Sequence, residues 1–183
     1  MSFINILKDG GIGILPTDTL YGLVGQALNP DTVERIYQVR KRRPDKPFIV
    51  LISDISDLDK LEIKLDDKSK KVLEKVWPGQ VSVILPCSNK KLEYLHRGMN
   101  LAIRLPDQQR LKDIIKSTGP LVAPSANFEG ENPAYTIAEA KDYFGDRVDF
   151  YEDVGKLESE PSTLIRLKDG EIEVLRQGAV VVV

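Results

Sequence analysis

Residues 101–123 read LAIRLPDQQRLKDIIKSTGPLVA. An apolar run, Leu101–Arg104, is followed by Asp107 ahead of Leu111, Ile114 and Ile115 at helical spacing, then by Gly119 and a second apolar run, Leu121–Ala123. This spells strand, helix, strand, with Asp107 as the expected cap and Gly119 near the helix end. Further runs rich in Val, Ile and Leu, at Ile12–Leu15, Phe48–Ile52, Val81–Leu85 and Val148–Tyr151, read as strands of the same kind. Helical segments lie between several of them. Asn29-Pro30 offers a cap and a first-turn proline before Val33, Ile36 and Tyr37, and Pro44 is expected to stop that helix. Asp66 precedes Val72, Leu73 and Val76, with Pro78-Gly79 as the stop, and Thr136 with Glu139 forms a capping box before Ala140 and Phe144. Near the end, residues 162–167 and 171–176 flank Lys168-Asp169-Gly170, the signature of a hairpin turn. Strands alternating with helices and closing on an antiparallel pair predict an α/β fold: an open twisted mixed sheet with flanking helices.

The chain has 183 residues, 42% apolar and 30% charged, enough for one sizeable core, so a single domain over residues 1–183 is expected. No apolar run reaches membrane-spanning length, and MSFINILKDGG lacks the regions of a signal peptide, so a cytoplasmic protein without membrane association is expected. The lone cysteine, Cys87, excludes an internal disulfide, and with a single histidine, His96, it excludes the usual clustered zinc ligands. Cys87 reads as a small apolar filler and His96 as a surface residue. Net charge is −2, which gives the whole molecule no strong pull toward nucleic acid. The cations are concentrated locally: Arg40, Lys41, Arg42, Arg43 and Lys46 stand against the one acid Asp45. Such a run is either an anion site or a solvated helix end.

Ligands of open α/β sheets bind beyond strand ends, which directs attention to the loops after the predicted strands. Pro16–Leu23 and Ala123–Asn127 carry hydroxyl and amide side chains, and the basic run closes the first long helix. Together they suit a substrate with phosphates, a carboxylate and polar donors, although Thr, Asp, Ser and Asn are also ordinary turn formers. Neither GxxxxGK[ST] nor GxGxxG occurs, and no nucleophile elbow accompanies His96.

The blocks Pro16-Thr17-Asp18-Thr19-Leu20-Tyr21-Gly22-Leu23, Lys46-Pro47-Phe48, Trp77-Pro78-Gly79-Gln80, Ala102-Ile103-Arg104-Leu105-Pro106, Ala123-Pro124-Ser125-Ala126-Asn127, Ser162-Thr163-Leu164-Ile165 and Leu175-Arg176-Gln177-Gly178 carry a resemblance. In this order and spacing, from Gly13 to Gly178, the chain resembles the YrdC/TsaC family of threonylcarbamoyl-AMP synthases, in the short form without a further C-terminal domain. The resemblance implies a YrdC-like fold and a nucleotidyltransferase that makes threonylcarbamoyl-AMP and pyrophosphate from L-threonine, bicarbonate and ATP. Mg²⁺ accompanies the ATP, no protein residue is assigned to a metal, and a partner transferase passes the threonylcarbamoyl group to tRNA. Weak direct tRNA binding is a further possibility under this resemblance.

Residue by residue, the resemblance implies threonine contacts at Thr19, Tyr21, Arg104, Ala123 and Ser162. It implies nucleotide contacts at Arg42, Lys46, Asn100, Ser125, Asn127 and Arg176, and catalytic roles for Arg40, Arg42 and Lys46. The family's Lys-x-Arg motif aligns ungapped with Arg40-Lys41-Arg42, while alignment on Pro44 selects Lys41-Arg42-Arg43. An Arg in place of a phosphate-binding Lys substitutes a planar fork for a point charge. Two other readings stand beside the synthase: a non-catalytic tRNA or double-stranded RNA-binding module using the basic run, and a related carbamoyl-adenylate former that acts on carbamoyl phosphate.

Overall fold

The computed structural model describes residues 2–43, 45–98, 100–168 and 171–182. In chain order the elements are α1 (Phe3–Lys8), β1 (Gly13–Pro16), β2 (Tyr21–Gln26), α2 (Pro30–Arg40), β3 (Ile49–Leu51), α3 (Asp57–Lys60), α4 (Asp67–Val76) and β4 (Val81–Leu85). There follow α5 (Glu93–His96), β5 (Leu101–Arg104), α6 (Gln109–Thr118), β6 (Leu121–Val122), α7 (Ile137–Phe144), β7 (Phe150–Tyr151), β8 (Thr163–Lys168) and β9 (Glu171–Arg176). The strands form one sheet in the order β7-β1-β2-β6-β3-β5-β4-β8-β9. It is mixed: β3 runs parallel to β5, β4 to β8 and β1 to β7, while the other neighbours are antiparallel.

Helices cover both faces of this sheet, and the strand residues divide between them. Ile14, Leu23, Val50 and Val122 join the core beneath α2, α4 and α7, while their neighbours Leu15, Val24, Leu51 and Leu121 join α1 and α6 on the other side. Successive side chains of a strand point to opposite faces, so a strand buried on both reads as an apolar run without alternation. That is why these strands stand out in the sequence.

The caps act as expected at three helices. Asn29 Oδ1 accepts from the Asp31 and Thr32 amides at 3.1 and 3.2 Å, and Asp66 Oδ1 accepts from Ser69 N at 2.6 Å. Thr136 and Glu139 form the reciprocal capping box. Asp107 does not cap α6: the cap position is Gln108, whose side chain makes no capping bond, because the chain turns into the helix one residue later than the Asp spacing implies. The expected stop at Pro44 and the Asp169-Gly170 turn lie outside the described residues; α2 ends at Lys41 in the left-handed region, and β8 and β9 pair as a hairpin requires.

Two further expectations are overturned. Residues 21–23, read as part of a loop, belong to β2, and His96, read as a surface residue, is buried. In β2, Gly22 and Gly25 depress strand propensity, but they are there for packing: a Cβ on Gly25 would meet Thr32 Cγ2 at 2.5 Å and Ile12 Cγ2 and Ile36 Cδ1 at 3.0 Å. Glycine lets α2 lie close on the sheet. His96 gives up water because backbone groups replace it: Nδ1 accepts from Gly98 N at 3.1 Å and Nε2 donates to Asn89 O at 3.0 Å. Cys87 is buried, as expected of a filler. Gly25→Ala is expected to lower unfolding free energy by about 1–3 kcal/mol through overpacking, measured by urea denaturation against the parent.

Candidate active site

Two adjoining cavities open where the loops after β1, β5 and β6 meet the C-terminal hairpin. The smaller, about 110 Å³, is lined by Thr17, Thr19, Tyr21, Arg104, Ala123 and Ser162 among others. The larger, about 610 Å³, is lined by Arg40, Arg42, Phe48, Asn100, Arg166 and neighbouring residues. Ile49, Ser125 and Arg176 line both, so the cavities meet at a hydroxyl and a guanidinium.

In the smaller cavity, Thr17 organises the turn between β1 and β2. Its Oγ1 donates to Leu20 O at 2.6 Å, accepts from the Thr19 and Leu20 amides at 3.2 Å, and lies 3.1 Å from Thr19 Oγ1. This places the Thr19 hydroxyl at the cavity wall. Tyr21 Oη donates to Gly155 O at 2.7 Å and accepts from Val154 N at 3.0 Å, tying the 152–161 segment to β2. Ser162 Oγ lies 2.8 Å from Ser82 Oγ, and Arg176 Nη2 donates to Ser162 O at 2.8 Å. Arg104, the last residue of β5, is buried with its Nη2 2.9 Å from Asp18 Oδ1.

The wall of the larger cavity is cationic because α2 delivers its last turn there. Arg40, only 5% exposed, donates from Nε to Ser125 O at 3.0 Å and from Nη2 to Ser125 Oγ at 3.0 Å and Asn127 Oδ1 at 3.2 Å. Ser125 Oγ donates on to Asn127 Oδ1 at 2.6 Å, and Asn127 Nδ2 donates to Phe128 O and Glu131 O. Arg40 Nη1 is buried without a partner. Burial, with Arg42's charge second, lowers the Arg40 guanidinium to about 10, so it stays protonated at neutral pH. Arg42 donates to Lys46 O at 3.0 Å and Pro47 O at 3.3 Å, with its guanidinium 5.3 Å from the centre of the Phe48 ring.

Thr19, Tyr21, Arg104, Ala123 and Ser162 thus share the small cavity, and Arg40, Arg42, Asn100, Ser125 and Arg176 share the large one. Lys46 and Asn127 line neither: Lys46 Nζ is paired with Glu129 Oε1 at 2.6 Å, and Asn127 is buried behind Ser125. Of the two registers for the basic run, Arg40 and Arg42 line the cavity, whereas the Lys41 ammonium sits 4.1 Å from the centre of the Phe128 ring and Arg43 pairs with Asp45 in solvent. Sequence reasoning passed over Asp18, Ser82 and Glu129, each of which holds a cavity residue or its loop. Only Asp18 lay in a segment already under scrutiny, where a buried acid is indistinguishable from a turn former.

The matching family model, Sua5/YciO/YrdC, described as "Telomere recombination", covers residues 5–178. The chain belongs to this family. The Bacillus subtilis threonylcarbamoyl-AMP synthase is 39% identical over 137 residues, 73% of this chain and 39% of that protein. A putative threonylcarbamoyl-AMP synthase of Methanocaldococcus jannaschii is 31% identical over 175 residues, 95% of this chain and 83% of that protein. Pyrococcus abyssi Sua5, solved in complex with L-threonine, superposes with a TM-score of 0.87 at 26% identity, over 96% of this chain and 53% of that one. The chain therefore spans well under two thirds of the Bacillus and Pyrococcus proteins, and the Sua5/YciO/YrdC domain is the part they share. No helix among the described residues is long and apolar enough to cross a membrane.

Glu129 anchors the basic segment, accepting from Arg43 N at 2.8 Å as well as from Lys46, and these partners hold its carboxyl down from its ordinary 4.5 to about 2. A depressed carboxylate contributes stability above its unfolded pKa and loses it as pH falls through the folded one. The melting temperature of Glu129→Gln is expected to lie below the parent's at neutral pH, with the gap closing between about pH 4.5 and 2.

Proposed function

We propose that this domain activates L-threonine: the amine nitrogen bonds to the bicarbonate carbon as a C–O bond breaks and water leaves, giving a carbamate, and a carbamate oxygen attacks the α-phosphorus of ATP. The O–P bond to the leaving group breaks as the new one forms, so the products are threonylcarbamoyl-AMP and pyrophosphate. The carrying observation is the junction of the two cavities, where a small pocket with a buried arginine opens through Ser125 and Arg176 onto a cleft lined by Arg40 and Arg42. That arrangement suits a small amino acid held by its carboxylate next to a polyphosphate.

On this reading Arg104 takes the threonine carboxylate, with Thr19, Tyr21, Ala123 and Ser162 shaping the pocket. Asn100, Ser125 and Arg176 take the nucleotide. Arg40 and Arg42 face the phosphates, and the unpartnered Nη1 of Arg40 is a donor already desolvated and already oriented. Preorganised cations in a partly dry site stabilise the charge that develops on the phosphate oxygens, and they need not reorganise during the reaction. Asn127 acts through Ser125 and Arg40, and Lys46 through Glu129, rather than by touching the nucleotide. Mg²⁺ bound to the ATP phosphates would neutralise their charge there. The product would pass to a transferase acting on tRNA in the cytoplasm. A non-catalytic RNA-binding module is disfavoured because Arg40 and Arg42, two cations of the basic run, are buried or partly buried against the cavity instead of being displayed to a duplex.

Pyrophosphate release is expected to need L-threonine, bicarbonate and Mg²⁺ together; release at the same rate with threonine omitted would refute the activity. Arg42→Ala is expected to lower turnover by roughly 10²–10³, as loss of one preorganised donor does elsewhere. Arg43→Ala, equal in charge change but in solvent, is expected to retain most activity and to melt within a degree or two of the parent.

A further inference from the structure

Asp18 lies mid-way along the turn that supplies Thr17 and Thr19, and its carboxylate is nearly sealed from water: its side chain is 5% exposed and that of Arg104 4%. Both Asp18 oxygens are buried without a hydrogen-bond partner. Arg104 Nη2 stands 2.9 Å from Oδ1, at ion-pair distance but outside hydrogen-bonding alignment, and Arg104 Nε is also buried and unpartnered. A buried ion pair ordinarily offsets desolvation by adding directed hydrogen bonds to its Coulomb attraction. In this pair charge attraction outweighs the side-chain contact at 2.9 Å, and neither Asp18 oxygen has an aligned donor.

The titration behaviour agrees. Burial pushes the Asp18 carboxyl up in spite of Arg104, and pushes the Arg104 guanidinium down in spite of Asp18. Asp18 cannot swing far to relieve this, since its own carbonyl accepts from Gln80 Nε2 and the adjacent Thr17 is locked into the turn. Arg104 lines the small cavity, and Asp18 does not.

We propose that Asp18 is an internal stand-in for the substrate's carboxylate: it neutralises Arg104 while the small cavity is empty, and it weakens the grip of the filled cavity because two anions must then share one guanidinium. The inference rests on the assignment of that cavity to threonine. Asp18 touches no reacting atom and sets affinity through Arg104. Two carboxylates flanking one guanidinium at a protein's effective dielectric repel each other enough to change affinity on the order of tenfold. A loosened hold on the carboxylate favours release of the adenylate to whatever enzyme consumes it.

The test compares the parent with Asp18→Asn, Asp18→Ser and Arg104→Ala, measuring the binding of L-threonine and L-threoninamide by calorimetry and the KM for ATP in the pyrophosphate assay. Asp18→Asn is expected to bind threonine roughly tenfold more tightly than the parent, to leave threoninamide binding and the ATP KM unchanged, and to show a larger thermal shift with threonine. Threonine binding that is unchanged or weaker in both neutral variants, while Arg104→Ala loses it, overturns the stand-in and leaves the threonine pocket intact. Threonine binding that survives Arg104→Ala overturns the pocket assignment itself. Should neither neutral variant fold alone, the proposal requires that L-threonine in the growth and purification buffers restore folded protein and that threoninamide fail to do so; recovery with neither ligand, or equally with both, overturns it.

Discussion

The site depends on a guanidinium placed where little water can reach it. Arg40 ends α2 beneath the loop that follows β6, and three hydrogen bonds to Ser125 and Asn127 take the place of its hydration. A buried cation without such acceptors would be several kcal/mol out of balance, so the loop's conformation and the helix's last turn must form together. Among the described residues no carboxylate forms an ion pair with it, and Glu129 acts on it only through its charge. The positive potential is left directed into the cleft, where an anion can use it.

The same requirement explains why glycine appears in a fully buried strand. For Arg40 to reach Ser125, α2 must lie close on β2, and the space a Cβ would fill at Gly25 is already taken by Thr32, Ile12 and Ile36. β2 in turn bonds to the loop that carries Ser125: Leu23 N donates to Pro124 O and Ala126 N to Tyr21 O, each at 2.9 Å. Helix, strand and loop are packed and hydrogen-bonded together, and both cavities lie at their edge. The second buried arginine, Arg104, comes from β5 on the far side of β6 and β3, so the sheet order sets the separation of the two arginines.

Strand runs with apolar residues on both faces, and the helices capped by Asn29, Asp66 and Thr136, were legible because each is written in adjacent residues. The elements missed fail that condition. β2 contains two glycines and looks like a turn until the helix that needs them is packed on it. His96 looks like a surface residue in His-Arg-Gly until Asn89 and Gly98 offer it backbone partners. Lys46 and Asn127 sit in recognisable blocks, yet a block does not say which of its members faces a cavity and which holds the loop from behind.

By itself the sequence determined the fold class, the likeness to the Sua5/YciO/YrdC family and the set of loops that build the site, since periodicity, caps and motif spacing are local properties of the chain. Tertiary structure alone decided that Arg40 and Arg42, rather than Lys41 and Arg43, line the cleft, that Thr19, Arg104 and Ser162 fall in one cavity and Arg40, Arg42 and Asn100 in another joined to it, and that Asp18 shares a sealed space with Arg104. The physical reason is that burial of a charge and the identity of its partner depend on residues far apart in sequence, Asp18 with Arg104 and Arg40 with Asn127, and no local pattern encodes such a pairing.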